Sequence, residues 1–191
     1  MASSLPAKQK RGEALRRAVI DATLERIERE GIDQVRISDV AQAAGVHETS
    51  IYRRWKTLPQ LLLDALLSQV DERISIPDSG DVERDLTTFV ESLVVFCRSP
   101  IGAGLVRSSS LADDPDVATA RAGFWEVRMA ASEEIVRRGI AAGRLRPDTD
   151  PRLVIAMLGG VVHLYVTQFD GEMPDTLADR AVSVVLRGVA R

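Results

Sequence analysis

From Ile37 to Leu61 the chain reads Ile-Ser-Asp-Val-Ala-Gln-Ala-Ala-Gly-Val-His-Glu-Thr-Ser-Ile-Tyr-Arg-Arg-Trp-Lys-Thr-Leu-Pro-Gln-Leu, a spacing that leaves the backbone little freedom. Ile37, Val40, Ala41 and Ala44 recur at three and four residues, the period of one helix face. Gly45 supplies a residue able to take positive φ, Val46 returns to the core, and a second helix starts near Glu48. Two short helices joined by a tight turn are a helix-turn-helix. On the second of them Ile51, Trp55 and, beyond them, Leu58 fall on one side, whereas Thr49, Ser50 and Arg53 fall on the other and Tyr52 and Arg54 lie on the flanks. The exposed side thus carries hydroxyl and guanidinium donors, which suit phosphate oxygens and the major-groove edge of guanine, and the helix start adds its own unpaired N–H groups. An ordinary helical hairpin with a solvated polar face would show the same local pattern.

The flanking residues narrow the choice. The stretch Val19-Ile20-Asp21-Ala22-Thr23-Leu24-Glu25-Arg26-Ile27-Glu28-Arg29-Glu30-Gly31, followed by Ala41, Ala44-Gly45-Val46 and Ile51-Tyr52-Arg53-Arg54-Trp55, resembles the first three helices of the TetR/AcrR-type family of transcriptional repressors in order, spacing and distance from the N-terminus. The rest of the chain agrees with that family in helical character and length. The resemblance implies a homodimer whose N-terminal domains bind double-stranded DNA at a palindromic operator, and a C-terminal domain that holds a small-molecule ligand and releases the DNA. It places Arg36, Ser38, His47, Glu48, Thr49, Ser50, Tyr52, Arg53, Arg54 and Lys56 at the DNA, with Tyr52 and Lys56 on phosphates.

Three departures from the family pattern stand out. Arg36 occupies the usual place of a Thr whose hydroxyl caps the second helix; Arg cannot cap, though it can pair with phosphate, and Ser38 is a candidate cap for a shorter helix. His47 and Glu48 stand where a Ser and a basic residue are common, and Glu48 repels phosphate unless it accepts from cytosine N4. Leu58 takes the place of a frequent phosphate-binding Lys, a charge that Lys56 can supply.

A formal charge of −3 looks wrong for a DNA binder until it is divided. Residues 1–56 hold 11 Lys and Arg against 8 Asp and Glu, and the remainder holds 14 against 20, so a basic reading head is attached to an acidic body. The single Cys97 excludes an internal disulfide, and its place in the series Leu86, Phe89, Val90, Leu93, Phe96, Cys97 marks a packing residue. Neither histidine has a partner at a recognised metal spacing, so no metal or cofactor is expected. The residues from Met1 to Arg11 contain no apolar stretch of the kind a secretory signal needs, and cytoplasm is the expected location. The uncharged run from Leu153 to Phe169 contains Gly159, Gly160, His163, Thr167 and Gln168 and lacks a basic anchor, which predicts a helix buried in protein rather than a membrane span.

The remaining punctuation marks helices. Gly31 closes the first; Pro77, Ser79 and Gly80 precede an amphipathic helix at Val82 to Arg98; Ser99-Pro100 ends it, and an apolar segment follows from Ile101 to Leu111. Asp113-Asp114-Pro115 opens a long helix with Ala118, Ala122, Trp125, Met129, Ser132 and Val136 on one face, up to Gly139 or Gly143. Asp150-Pro151 begins another and Pro174-Asp175 the last. No alternating run predicts a sheet, so the fold class is all-α: a three-helix DNA-binding domain over residues 1–56, and a larger helical ligand-binding and dimerisation domain over 57–191.

The last two helices are more apolar than one side of a surface helix requires, and a second copy is the simplest cover. Leu153, Met157, Val161, Leu164, Leu177, Ala181, Val184 and Val185 are the expected interface, with Gly159-Gly160 allowing close approach. Phe89, Leu93, Phe96, Phe124, Trp125, Met129, Met157 and His163, with Tyr165, are the side chains suited to lining a pocket for a hydrophobic or aromatic effector. An enzyme is disfavoured, since no nucleophile stands beside a base and no glycine-rich phosphate loop is present. A dimeric binding module without operator recognition stays open, for which Arg36, Glu48 and Leu58 are the motivating oddities.

Overall fold

The structure, a computed structural model, describes residues 7–107, 115–169 and 171–189. Among these the order is α1 (Ala7–Glu30), a short 3-10 turn (Ile32–Gln34), α2 (Ile37–Ala44), α3 (Glu48–Trp55), α4 (Leu58–Arg73), α5 (Val82–Arg98), α6 (Pro100–Arg107), α7 (Pro115–Ala141), α8 (Pro151–Gln168) and α9 (Leu177–Val189), with no strand. The protein is all-α. Contacts divide it into one compact unit up to Ser68 and a second from Gln69. That division falls inside α4, past the Lys56 break read from the charges.

In the first unit α1 packs on α2, and α2 on α3. Val19, Ile27, Val40, Ile51 and Leu61 are fully enclosed. The turn between α2 and α3 follows from Gly45, whose φ of 65° is left-handed. That conformation lets the Gly45 N–H reach the Gln42 carbonyl (3.2 Å) and the Val46 N–H reach that of Ala41 (3.0 Å), satisfying two carbonyls the helix end would orphan. Arg36 is the residue before α2 and makes no side-chain cap. Ser38 does not cap either. It lies one residue inside α2, where its hydroxyl is 3.4 Å from the Asp39 carboxylate, because α2 already begins at Ile37.

In the second unit α5 is central and contacts α6, α7, α8 and α9. Asp81 caps α5 by accepting from the Glu83 and Arg84 N–H groups, and Asp150 caps α8 in the same way through Arg152 and Leu153. Leu86, Val90, Val136 and Leu158 form its enclosed core. Asp85 is buried too, and its carboxylate accepts from the Ser79 N–H and hydroxyl with Arg138 at 3.9 Å, so the charge is not orphaned. Cys97 is a buried packing residue whose thiol is pushed up to about 11 by burial. The chain turns 94° between α5 and α6. Gly102 permits this turn, since a Cβ there would lie 2.0 Å from the Phe96 carbonyl oxygen.

One expected boundary differs. The last helix starts at Leu177 rather than at Pro174, because Pro174 is used in a turn whose carbonyl accepts from the Leu177 N–H at 3.0 Å. The segment after Pro100 is helical as far as Arg107; Ser108 to Leu111, and the Asp113-Asp114 cap, lie outside the described residues. No single helix among the described residues is long and apolar enough to cross a membrane.

Candidate nucleic-acid interface and ligand cavity

Helix α3 sits on Ile51 and Trp55, of which 0% and 5% remain exposed. Its other side is open. Thr49, Arg53 and Glu48 are exposed, Tyr52 and Arg54 are exposed on the flanks, and Ser50 is half-buried. His47, just before the helix, is exposed and offers its carbonyl, not its side chain, to the Ser50 N–H at 2.9 Å. Arg36 is exposed, and its guanidinium donates to the Asp33 and Val35 carbonyls, both at 3.0 Å, which fixes it beside the start of α2. Arg54 is occupied in part, with Glu13 at 3.6 Å and its guanidinium 5.6 Å from the centre of the Trp55 ring. Arg53 and Lys56 have no ion-pair partner among the described residues, so both charges are available to an anion.

What holds this surface in place is a pair of residues that sequence reasoning did not select. The Trp55 Nε1–H donates to Asp64 Oδ2 at 2.9 Å, and the same carboxylate receives Arg16 through Nε at 3.2 Å and Nη2 at 2.6 Å. Donating to the Asp64 carboxylate raises the pKa of Arg16 against the opposing effect of its partial burial. Recognition helix, α1 and α4 are thus joined at one carboxylate. The available signal was the lone acid in the apolar run Leu58 to Leu67.

Lys56 is the described non-glycine residue with positive φ, at φ 55° and ψ −46°. It is the centre of a γ-turn in which the Thr57 N–H donates to the Trp55 carbonyl, a strained geometry for a residue with a Cβ. Lys56→Gly should relieve about 1 kcal/mol of that strain while removing a charge next to α3. The expected outcome is a higher melting temperature together with weaker binding to every DNA sequence; a variant that melts lower would show that Lys56 is not strained.

The second unit encloses a cavity of about 410 Å³. Its walls come from α4 (Val70) and the residue just past it (Ile74), α5 (Phe89, Leu93, Cys97), α6 (Leu105, Val106), α7 (Arg121, Trp125, Arg128, Met129, Ser132) and α8 (Ile155, Ala156, Gly159, Gly160, Val162, His163). Of the expected lining residues it brings together Phe89, Leu93, Trp125, Met129 and His163. Phe96 is buried away from it, and Phe124 packs edge-on against Trp125 at 5.6 Å. Met157 and Tyr165 face a different groove, of about 350 Å³, shared with Val161, Leu177, Ala181, Val184 and Val185. There Leu177 and Val185 are buried, whereas Met157 and Val184 are 51% and 67% exposed. Leu153 and Leu164 are exposed on α8 outside that groove. Gly159 and Gly160 line the cavity, with nothing in the same chain within 4 Å of an added Cβ. No group of three or more His, Cys, Asp or Glu side chains is placed to hold a metal ion among the described residues.

Comparison with known proteins agrees with this geometry. Residues 19–65 match the family described as bacterial regulatory proteins, tetR family, and residues 76–185 match the tetracyclin repressor-like C-terminal domain. The chain is 46% identical over 181 residues to the HTH-type transcriptional regulator AqdR of Rhodococcus erythropolis, covering 94% of this chain and 87% of that protein. The crystal structure of the TetR family transcription regulator SCO0332 superposes with a TM-score of 0.79 at 30% identity, covering 93% of this chain and 99% of that one. FadR of Bacillus subtilis, solved in complex with stearoyl-CoA, shares the fold at a TM-score of 0.68 and 19% identity, over 90% and 98% of the two chains. With both of its units matched and its helix-turn-helix in place, the chain belongs to the TetR family of transcriptional regulators.

Proposed function

We propose that this regulator is a repressor that binds a palindromic operator as a homodimer and is released by an apolar or aromatic small molecule. In this reading the N-terminal domain, residues 1–56, reads DNA, and residues 57–191 pair the two copies and hold the effector. The observation that carries operator binding is the exposed side of α3, where Thr49, Arg53 and Lys56 stand free above the buried Ile51 and Trp55. The cavity supports the effector: its wall is largely apolar and its volume falls in the range of small-molecule sites. That FadR of Bacillus subtilis was solved with stearoyl-CoA is in keeping with a fold able to house an apolar effector. An effector weakens DNA binding only by the difference between its affinities for the free and the DNA-bound shapes.

The test is a binding titration against the DNA upstream of the protein's own gene at rising salt. Affinity should fall steeply with salt as phosphate neutralisation releases counterions, and Arg53→Ala should cost about 1–3 kcal/mol at particular base pairs if Arg53 reads guanine. Equal losses on operator and random DNA would assign Arg53 to the backbone. A second reading, a dimeric effector-binding module without an operator, is favoured by Glu48, exposed at the start of α3, and by the absence of a basic side chain at Leu58. Salt-insensitive or undetectable DNA binding would select it.

A further inference from the structure

We infer that the effector is an apolar organic acid whose anionic group is received by Arg121. The inference rests on the cavity being the effector site and goes on to the chemistry of what fills it. Arg121, Trp125, Arg128 and Ser132 follow at intervals of four, three and four, so one face of α7 presents two guanidinium groups, a ring and a hydroxyl to the cavity. No Asp or Glu is among the described residues that line it. Positive charge on an apolar wall is therefore not neutralised from within the site.

The two arginines are not equivalent. Arg128 is engaged, donating to the Ile74 carbonyl at 3.0 Å. Arg138, farther along the same helix and also half-buried, pairs with Asp78 at 3.1 Å and donates to the Pro77 carbonyl. Arg121 is half-buried at the cavity yet has neither a hydrogen bond nor an ion pair among the described residues. A guanidinium partly withdrawn from water and left unpaired is costly, and its planar fork matches a carboxylate with two parallel bonds. Across the cavity, Gly159 and Gly160 leave a gap in the α8 wall between Ile155 and Val162, and Phe89 and Leu93 supply apolar surface. The site is thus shaped for a molecule with an apolar body and one acidic end.

Isothermal calorimetry on the full-length protein tests this with two matched pairs: decanoate against 1-decanol, and 2-naphthoate against 2-naphthalenemethanol. In each pair the body is kept and the charge removed. The acid should bind at least about tenfold more tightly than the alcohol in one pair or both, the ratio given by a hydrogen bond to a charged group. Arg121→Gln should bring that ratio near one while leaving alcohol affinity unchanged, and Arg152→Gln, which removes an exposed arginine paired with Glu126 outside the cavity, should keep it. Acid and alcohol binding equally to the unaltered protein, or a ratio that survives Arg121→Gln, would overturn the assignment while the cavity stands as a ligand site. If none of the four compounds binds, the reading of the cavity as the effector site falls, and the acid preference with it.

Discussion

Val184→Asp should turn the proposed dimer into monomers that no longer hold an operator while their helix content stays unchanged. Val184 is 67% exposed on α9, so within one chain an aspartate there meets water and costs the fold little. The cost arises on pairing. Val184 stands in the groove with Met157 and Val161, and in a two-fold interface each substitution is buried twice, once from each copy. A carboxylate taken into apolar surroundings without a partner is strongly disfavoured, by several kcal/mol per ion. Two of them weaken association by at least about 100-fold. Sedimentation should report the monomer and circular dichroism the intact helices. Operator affinity should collapse because two half-sites are then no longer held by one assembly. A variant that sediments as a dimer would place the interface away from α8 and α9.

Asp64→Ala is expected to have the second large effect, on the reading head itself. The substitution leaves the Trp55 N–H and the half-buried Arg16 without their shared acceptor. Hydrogen bonds to charged groups contribute about 1.5–3 kcal/mol each, and with partial solvent access the combined loss is about 2–3 kcal/mol. Chemical denaturation followed by circular dichroism should show the first unit melting earlier. Binding should weaken on all DNA sequences alike, since Asp64 orients α3 and reads no base. Asp64→Asn, which keeps an acceptor for Trp55 but not the charge for Arg16, should fall between the two. An Asp64→Ala protein with normal stability and normal DNA affinity would remove the carboxylate from any positioning role.

How far the sequence led depended on whether an interaction was local. The helix-turn-helix was legible because Gly45 and the period of Ile37, Val40 and Ala41 specify it within a few residues. The start of α8 at Asp150-Pro151 was legible for the same reason, whereas the Asp81 cap of α5 was not selected. The Trp55–Asp64–Arg16 junction was not, because Arg16 and Asp64 are 48 residues apart and nothing in their spacing pairs them. The cavity was legible in part. Side-chain size pointed to Phe89 and Trp125, but size carries no direction, so Phe96 and Phe124 were drawn in although neither is among the residues that line the cavity. On α8 neighbouring positions diverge by about 100°: Ala156 faces the cavity while Met157 faces the groove with α9. The same blindness to direction left Arg121 and Arg128 unselected, although both line the cavity. Gly159-Gly160 leave open space within one chain.

The placement of the two tryptophans, the only ones in the chain, gives each unit its own optical reporter. Trp55 is 5% exposed and hydrogen-bonded beneath α3, whereas Trp125 is 41% exposed at the cavity wall beside Phe124. A buried indole emits to the blue of a hydrated one, so the two signals separate by wavelength and by their access to an aqueous quencher. Blue emission follows the integrity of the first unit, and red, quenchable emission follows the surroundings of Trp125 at the cavity wall. Both units can therefore be followed separately in one cuvette of unlabelled protein.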